Sequence, residues 1–381
     1  MAVKTAGAER ASQREVAVRV VDADVHPTLS VDMFSEYIPE PWRSRYYRQS
    51  LPMVGGLYGS VMSFHREDTA PPGGGGPGSD PEFAAKQLFV DEKDDYAILI
   101  PMSASANQLT NPEAETAFLS GVNAFQAETW LGKHNWHGRF KGSIVVSPAD
   151  PEGAAREIER WAGHPHFVQV GMPLGSRTPF GNPRHDPIWA AAARAGLPVG
   201  FHFTTTASMN WLTPAGFPSS YLEAHALASY QAMTHVASFV LEGVFEKFPA
   251  LKLAWIETGF TWLLPLMSRL DNNWRDLGHE VPLVKRAPSD YIKDHMRFST
   301  QALDDVTPFT DLVRVMELVE GERILIFSTD YPHHDTDDPD WLETRLPKAW
   351  RHRVMADNAI ELYGLPRMRP WDTFDDQRAS P

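Results

Sequence analysis

The sequence predicts an α/β fold, a (β/α)8 barrel of the TIM type with loop insertions after its first and fifth strands. Three observations carry this. Eight short apolar runs alternate with helix-length segments from residue 20 to residue 363, and such alternation builds parallel βα units. Four of the runs end in a carboxylate or an imidazole, and in this architecture the C-terminal strand ends hold the chemistry. The length of 381 residues holds either two ordinary domains or one barrel of about 250 residues with insertions.

The elements follow in order. Residues 1 to 16 are polar and alanine-rich and are expected to form a flexible tail. Strand one lies in Val20-Val21-Asp22-Ala23-Asp24-Val25-His26-Pro27. Residues 27 to 50 carry Phe34, Tyr37, Ile38, Trp42, Tyr46 and Tyr47 among Pro and Arg, and short helices there are expected to roof a site. Pro71-Pro72-Gly73-Gly74-Gly75-Gly76-Pro77-Gly78 predicts a flexible loop. It lacks the Lys-Ser/Thr ending of a phosphate loop. Strand two is expected over Tyr96 to Pro101, a helix over 112 to 132, and strand three over Lys141 to Val146. Asp150 caps a helix with Pro151 at its first position, and strand four runs from Phe167 to Met172. Gly196 closes a helix over Pro187 to Ala195, and strand five covers Pro198 to Phe203. Residues 204 to 224 have no period and are long enough for a substrate loop. A long helix over 225 to 248 stops at Pro249. Strands six, seven and eight are expected at Leu251 to Glu257, Met296 to Thr300 and Arg323 to Phe327, with a last helix over 356 to 363. The barrel thus spans residues 17–367, and residues 368–381 form a C-terminal tail.

Composition narrows the function. A net charge of -14 with no long basic run speaks against nucleic acid and anionic membranes as partners. The absence of cysteine excludes disulfides, thiolate metal sites and a cysteine nucleophile. No secretory segment and no apolar stretch of about 18 residues is visible, so the expectation is a soluble cytoplasmic protein.

The strand ends supply the candidate site. Residues two apart on a strand share a face, so Asp24 and His26 can present an oxygen and a nitrogen to one point. His202 ends strand five, Glu257 ends strand six, and Asp330 follows strand eight. Charged side chains are rarely buried without partners, and a shared cation would supply one. Two carboxylates and two imidazoles suit zinc, iron(II) or manganese. Bound water then loses a proton near neutral pH, and Asp330 is placed to orient it and carry its proton. Glu257 has two readings: a fifth ligand or bridge that admits a second ion, or a free acid/base. Among the others, His333 or His334 lines the pocket, Gln301 reaches substrate, and Trp211, Phe217, Trp262 and Met102 form an apolar mouth. His235, inside an apolar helix, is read as packed, and Asp22 as a structural hydrogen-bond acceptor.

Over residues 18 to 365 the chain resembles the amidohydrolase superfamily, in the branch of aminocarboxymuconate semialdehyde decarboxylase. The matching pieces are Asp22-Ala23-Asp24-Val25-His26-Pro27, Gly196-Leu197-Pro198-Val199-Gly200-Phe201-His202, Gly243-Val244-Phe245-Glu246-Lys247-Phe248-Pro249 and Ser328-Thr329-Asp330-Tyr331-Pro332-His333. The resemblance implies a metal held by Asp24, His26, His202 and Asp330. The departure is Glu257, where many members have a histidine. The resulting expectation is a metal-dependent hydrolase acting on an ester, thioester, lactone or amide with a bulky apolar acyl group, a biosynthetic thioesterase included. The alternative is non-oxidative decarboxylation of an aromatic or unsaturated acid, and a third reading is a metal-stabilised binding protein. One or two divalent ions per chain, a small-molecule substrate and a homodimer complete the expectations.

Overall fold

The computed structural model describes residues 15–46, 65–101, 111–176, 178–203, 220–304, 306–370 and 373–374. Ten strands occur among them: β1 (Glu15–Ala17), β2 (Val21–Val25), β3 (Tyr96–Leu99), β4 (Phe140–Val145), β5 (Phe167–Pro173), β6 (Val199–His202), β7 (Leu253–Ile256), β8 (Met296–Ser299), β9 (Leu325–Ile326) and β10 (Met368–Pro370). Strands β2 to β9 form one parallel sheet in sequence order. The seam is joined by backbone hydrogen bonds from Ala23 N to Phe327 O, Asp330 N to Asp24 O and His26 N to Tyr331 O. The sheet is thereby a barrel, and the eight expected strands are its staves.

Every residue of β2 to β7 is buried, as expected where helices cover a parallel sheet. Trp255 of β7 is fully buried and stacks on Phe201 of β6 at 4.7 Å between centroids, in a layer completed by Trp189 and Phe239. Helix starts follow one local rule. Asp80, Asn111, Asp150 and Asp338 each precede a proline at the first helical position and accept a backbone N–H of the first turn. Gly196, at φ 67, ends the helix Asp186–Ala195.

Several local expectations differ from the structure. The long helix over 225 to 248 is three pieces, Tyr221–Ala226, Ala228–Leu241 and Val244–Lys247. Gly243 turns the chain at φ 65 where a Cβ would collide with Leu283. In place of strand over 323 and 324, Gly321–Ile324 is a helical turn, and only Leu325–Ile326 pairs. The segment expected as a C-terminal tail begins with β10, which pairs antiparallel with β1. Buried Arg369 of β10 bonds Asp95 (Nε to Oδ1, 2.7 Å), whose Oδ2 accepts from Arg19 N and Val20 N. The glycine run is anchored too: Gly78 O accepts from Thr28 N, and a Cβ on Gly78 (φ 70) would stand 2.7 Å from His26 O. Only glycine lets that loop approach the exit of β2 so closely. No helix among the described residues is long and apolar enough to cross a membrane.

Candidate metal centre

Strand alternation places Asp22, Asp24 and His26 on one face of β2, while Val21 and Ala23 share a core with Ala359, Ile360 and Tyr363. Asp22 Oδ1 accepts from Asp24 N (3.0 Å) and Thr329 N (2.9 Å), and its Oδ2 from Thr329 Oγ1 (2.6 Å). This clamp ties the end of β2 to the segment after β9. Asp24 and Asp330 are therefore neighbours although 306 positions separate them. Asp330 (φ 68) and Glu257 (φ 55) both hold left-handed backbone, a conformation uncommon for such residues and concentrated at functional sites.

Four side chains converge at the C-terminal rim. His26 Nε2 lies 3.0 Å from Asp24 Oδ1, 2.8 Å from Asp330 Oδ1 and 3.2 Å from His202 Nε2, and His202 Nε2 lies 3.5 Å from Asp24 Oδ1. One donor atom from each of the four falls within 4.8 Å of all the others, and all four residues are buried. The ring protons are accounted for on the far side. His26 Nδ1 donates to Ile100 O (2.8 Å) and His202 Nδ1 to Phe203 O, so each Nε2 lone pair faces inward. Both Asp24 oxygens and Asp330 Oδ1 are buried without a hydrogen-bond partner. Lone pairs facing lone pairs in a buried space repel unless positive charge stands among them. Contacts of 2.8 to 3.5 Å between donors are those of ligands about 2.0–2.2 Å from one ion. The set fits a divalent cation.

The electrostatics agree. Burial works to raise the Asp24 carboxyl, yet the imidazoles of His26 and His202 outweigh it and hold it below the ordinary carboxylate range. Burial opposes charge on His26, but Asp24 and Asp330 overcome it and raise the ring well above its usual value. His202 is likewise raised against its burial, chiefly by Asp24. Asp330 is pushed up to about 7 by burial, with His26 pulling the other way. Negative potential thus concentrates on the point where the four donors meet.

The other expected site residues fall around this cluster. Glu257 stands beside the four-donor set: its Oε2 is 3.2 Å from His202 Nε2, while its Oε1 faces His225 Nε2 at 3.3 Å. His333 stacks on His26 (4.8 Å, 29°) and its Nδ1 is 2.7 Å from Asp330 Oδ1. Buried Gln301 donates through Nε2 to Asp330 Oδ2 and Asp335 Oδ2, both at 3.3 Å. Trp211, Phe217 and Met102 lie outside the described residues. Trp262 belongs to the packing, with its Nε1 on Thr258 O and its ring on Phe298. His235 accepts from Phe180 N and bonds Leu174 O, a satisfied core histidine. His334 is half exposed beside Asp335.

Two residues escaped the sequence reading. His225 and Asp335 form a second group with Glu257, also within 4.8 Å of one another. Asp335 could have been suspected from its place five residues after Asp330, next to two histidines. His225 carried no signal. It follows a long aperiodic stretch and bears no spacing relation to any strand.

The chain and its fold have relatives. A gamma-resorcylate decarboxylase from Polaromonas sp. is 26% identical over 253 residues, covering 60% of this chain and 72% of that protein. An amidohydrolase structure from Mycobacterium avium subsp. paratuberculosis K-10 superposes with a TM-score of 0.70 at 20% identity, over 92% of this chain and 99% of the other. A 5-carboxyvanillate decarboxylase from Novosphingobium aromaticivorans, complexed with manganese and a nitrobenzoic acid, gives 0.65 at 16% identity, over 91% and 96%. The main expectation from sequence, a hydrolase with thioesterase as one option, is corrected by these relatives: two of the three are decarboxylases of aromatic acids. The physical reason is that one cation in an N/O cage serves either reaction, so the ligand set does not select between them. The Amidohydrolase family model matches residues 21–365, nine-tenths of the sequence, and the chain belongs to that family.

Proposed function

We propose that this protein is a divalent-cation-dependent, non-oxidative decarboxylase of a hydroxylated aromatic carboxylic acid. Asp24, His26, His202 and Asp330 hold the ion, and manganese is the assignment. The observation that carries the reading is the pair of inward Nε2 lone pairs facing buried carboxylate oxygens that accept no hydrogen bond. The decarboxylase relative at 26% identity supports the reaction class, and manganese in the carboxyvanillate enzyme supports the metal. Half-carboxylate donor sets also favour manganese over softer ions.

When bound, the cation supplies fixed positive charge for the anionic oxygens of the substrate. The protein's own residues do the rest. His26 and His202 are locked by their Nδ1 bonds to Ile100 O and Phe203 O, and Asp24 is set by the Asp22–Thr329 clamp. His333 and Gln301 border the site from the Asp330 side. The test is carbon dioxide release from a panel of hydroxybenzoates by manganese-loaded protein. Release from at least one acid, lost in Asp24→Asn, is the expected result. Absence of release across the panel refutes the proposal.

A further inference from the structure

Non-oxidative decarboxylation must place a proton on the ring carbon that loses its carboxylate. That acid has to stand next to the cation without being consumed as its ligand, and it must be able to recover a proton from water. His225 meets each condition among the described residues. Its Nε2 is 3.3 Å from Glu257 Oε1 and 3.5 Å from Asp335 Oδ2. Glu257 Oε2 in turn reaches His202 Nε2 at 3.2 Å, so the imidazole stands one side chain away from the donor cluster. The His225 side chain is 25% exposed, whereas Glu257 is 7% exposed. The ring plane is set by the edge-on contact with Phe203 (5.7 Å, 89°), and Asp335 is itself held by Gln301 Nε2.

The geometry points to His225, carried by the helix Tyr221–Ala226 and held between Glu257 and Asp335, as the proton donor of the reaction. This rests on the decarboxylase reading above. The two carboxylates favour the charged ring: the hydrogen bond to Glu257 raises it, against a smaller opposition from burial. His333, the other imidazole at the rim, has its Nδ1 2.7 Å from Asp330 Oδ1 and its ring stacked on His26, so it is engaged with the ligands themselves. The proton passes from the His225 imidazolium to the ring carbon bearing the carboxylate, forming a C–H bond. The bond from that carbon to the carboxylate then breaks, its electron pair returns to the ring, and carbon dioxide departs. Neutral His225 regains a proton from solvent at its exposed edge. Glu257 and Asp335 act as positioning residues.

The experiment compares wild type with His225→Gln, both loaded with manganese, for carbon dioxide release, for deuterium exchange into the aromatic product in heavy water, and for metal content and melting temperature. The variant is expected to lose about a hundredfold or more in kcat and a similar factor in deuterium exchange, with metal content and melting unchanged. An active wild type whose His225→Gln variant keeps the wild-type rate overturns the inference and leaves the decarboxylase reading standing. A variant that loses activity together with its metal or its fold overturns it too, because the histidine is then structural. A wild type inactive on every hydroxybenzoate overturns both.

Discussion

Glu115 lies in the first turn of the helix Pro112–Phe125 and is 1% exposed. Burial raises its carboxyl from the ordinary 4.5 to about 8, although the Ser147 hydroxyl pulls it down and Asp150 adds to the rise. The folded protein therefore holds this proton to higher pH than the unfolded chain does. The penalty is absent below about pH 4.5, grows as pH rises between the two values, and is complete above about pH 8. At pH 9 it amounts to about 5 kcal/mol, and at pH 5 to about 1 kcal/mol. Glu115→Gln keeps the shape of the protonated side chain and cannot ionise. With an unfolding entropy of about 2.1 cal/mol/K per residue over 381 residues, the variant should melt about 6 °C above wild type at pH 9 and within about 1 °C of it at pH 5. Calorimetric scans of both proteins at the two pH values decide it. A gain of equal size at both, or none at pH 9, would refute the claim that ionisation of a buried carboxyl limits stability here.

Three further outcomes are expected. Chelator-treated protein should melt lower than manganese-loaded protein: at a hundredfold excess over Kd the ion adds about 2.7 kcal/mol, or about 3 °C. Scanning fluorimetry should show that shift shrink in Asp24→Asn, and an undiminished shift would remove Asp24 from the ligand set. Asp330→Asn should keep the wild-type fold by circular dichroism while turnover falls at least about a thousandfold; near-normal turnover would remove Asp330 from the chemistry. Asp22→Ala strips the acceptor from Asp24 N, Thr329 N and Thr329 Oγ1. Its cost should be about 2–4 kcal/mol in urea titrations, with manganese retention weakened as well. Unchanged stability would show that the clamp is not needed to close the barrel.

The reaction class shows how far a donor set can mislead. Strand parity, strand ends and family resemblance point to Asp24, His26, His202 and Asp330, and the expectation of hydrolysis rests on what such a cation does to water. Nothing in those four residues distinguishes attack on a carbonyl from loss of a carboxylate. The distinction belongs to the groups that meet the substrate, and one of these, His225, approaches Glu257 across 31 intervening positions. Glu257 is a departure from the histidine common in the family. In the folded chain it has an imidazole against its outer oxygen.

The sequence by itself determined what depends on near neighbours along the chain. Period-two alternation put Asp22, Asp24 and His26 on one face of β2, Asp–Pro and Asn–Pro pairs started helices, and Gly196 stopped one. These effects act within two to four residues and survive whatever the rest of the chain does. The tertiary structure alone decided what depends on closure. The Asp22–Thr329 clamp, the meeting of two inward imidazoles with two buried carboxylates, the approach of Leu283 to Gly243, and the His225–Glu257–Asp335 group all join residues far apart in sequence. Such contacts carry no local period; they exist because eight staves of set length bring their ends to one rim, where burial leaves only a cation or a proton to balance the charge.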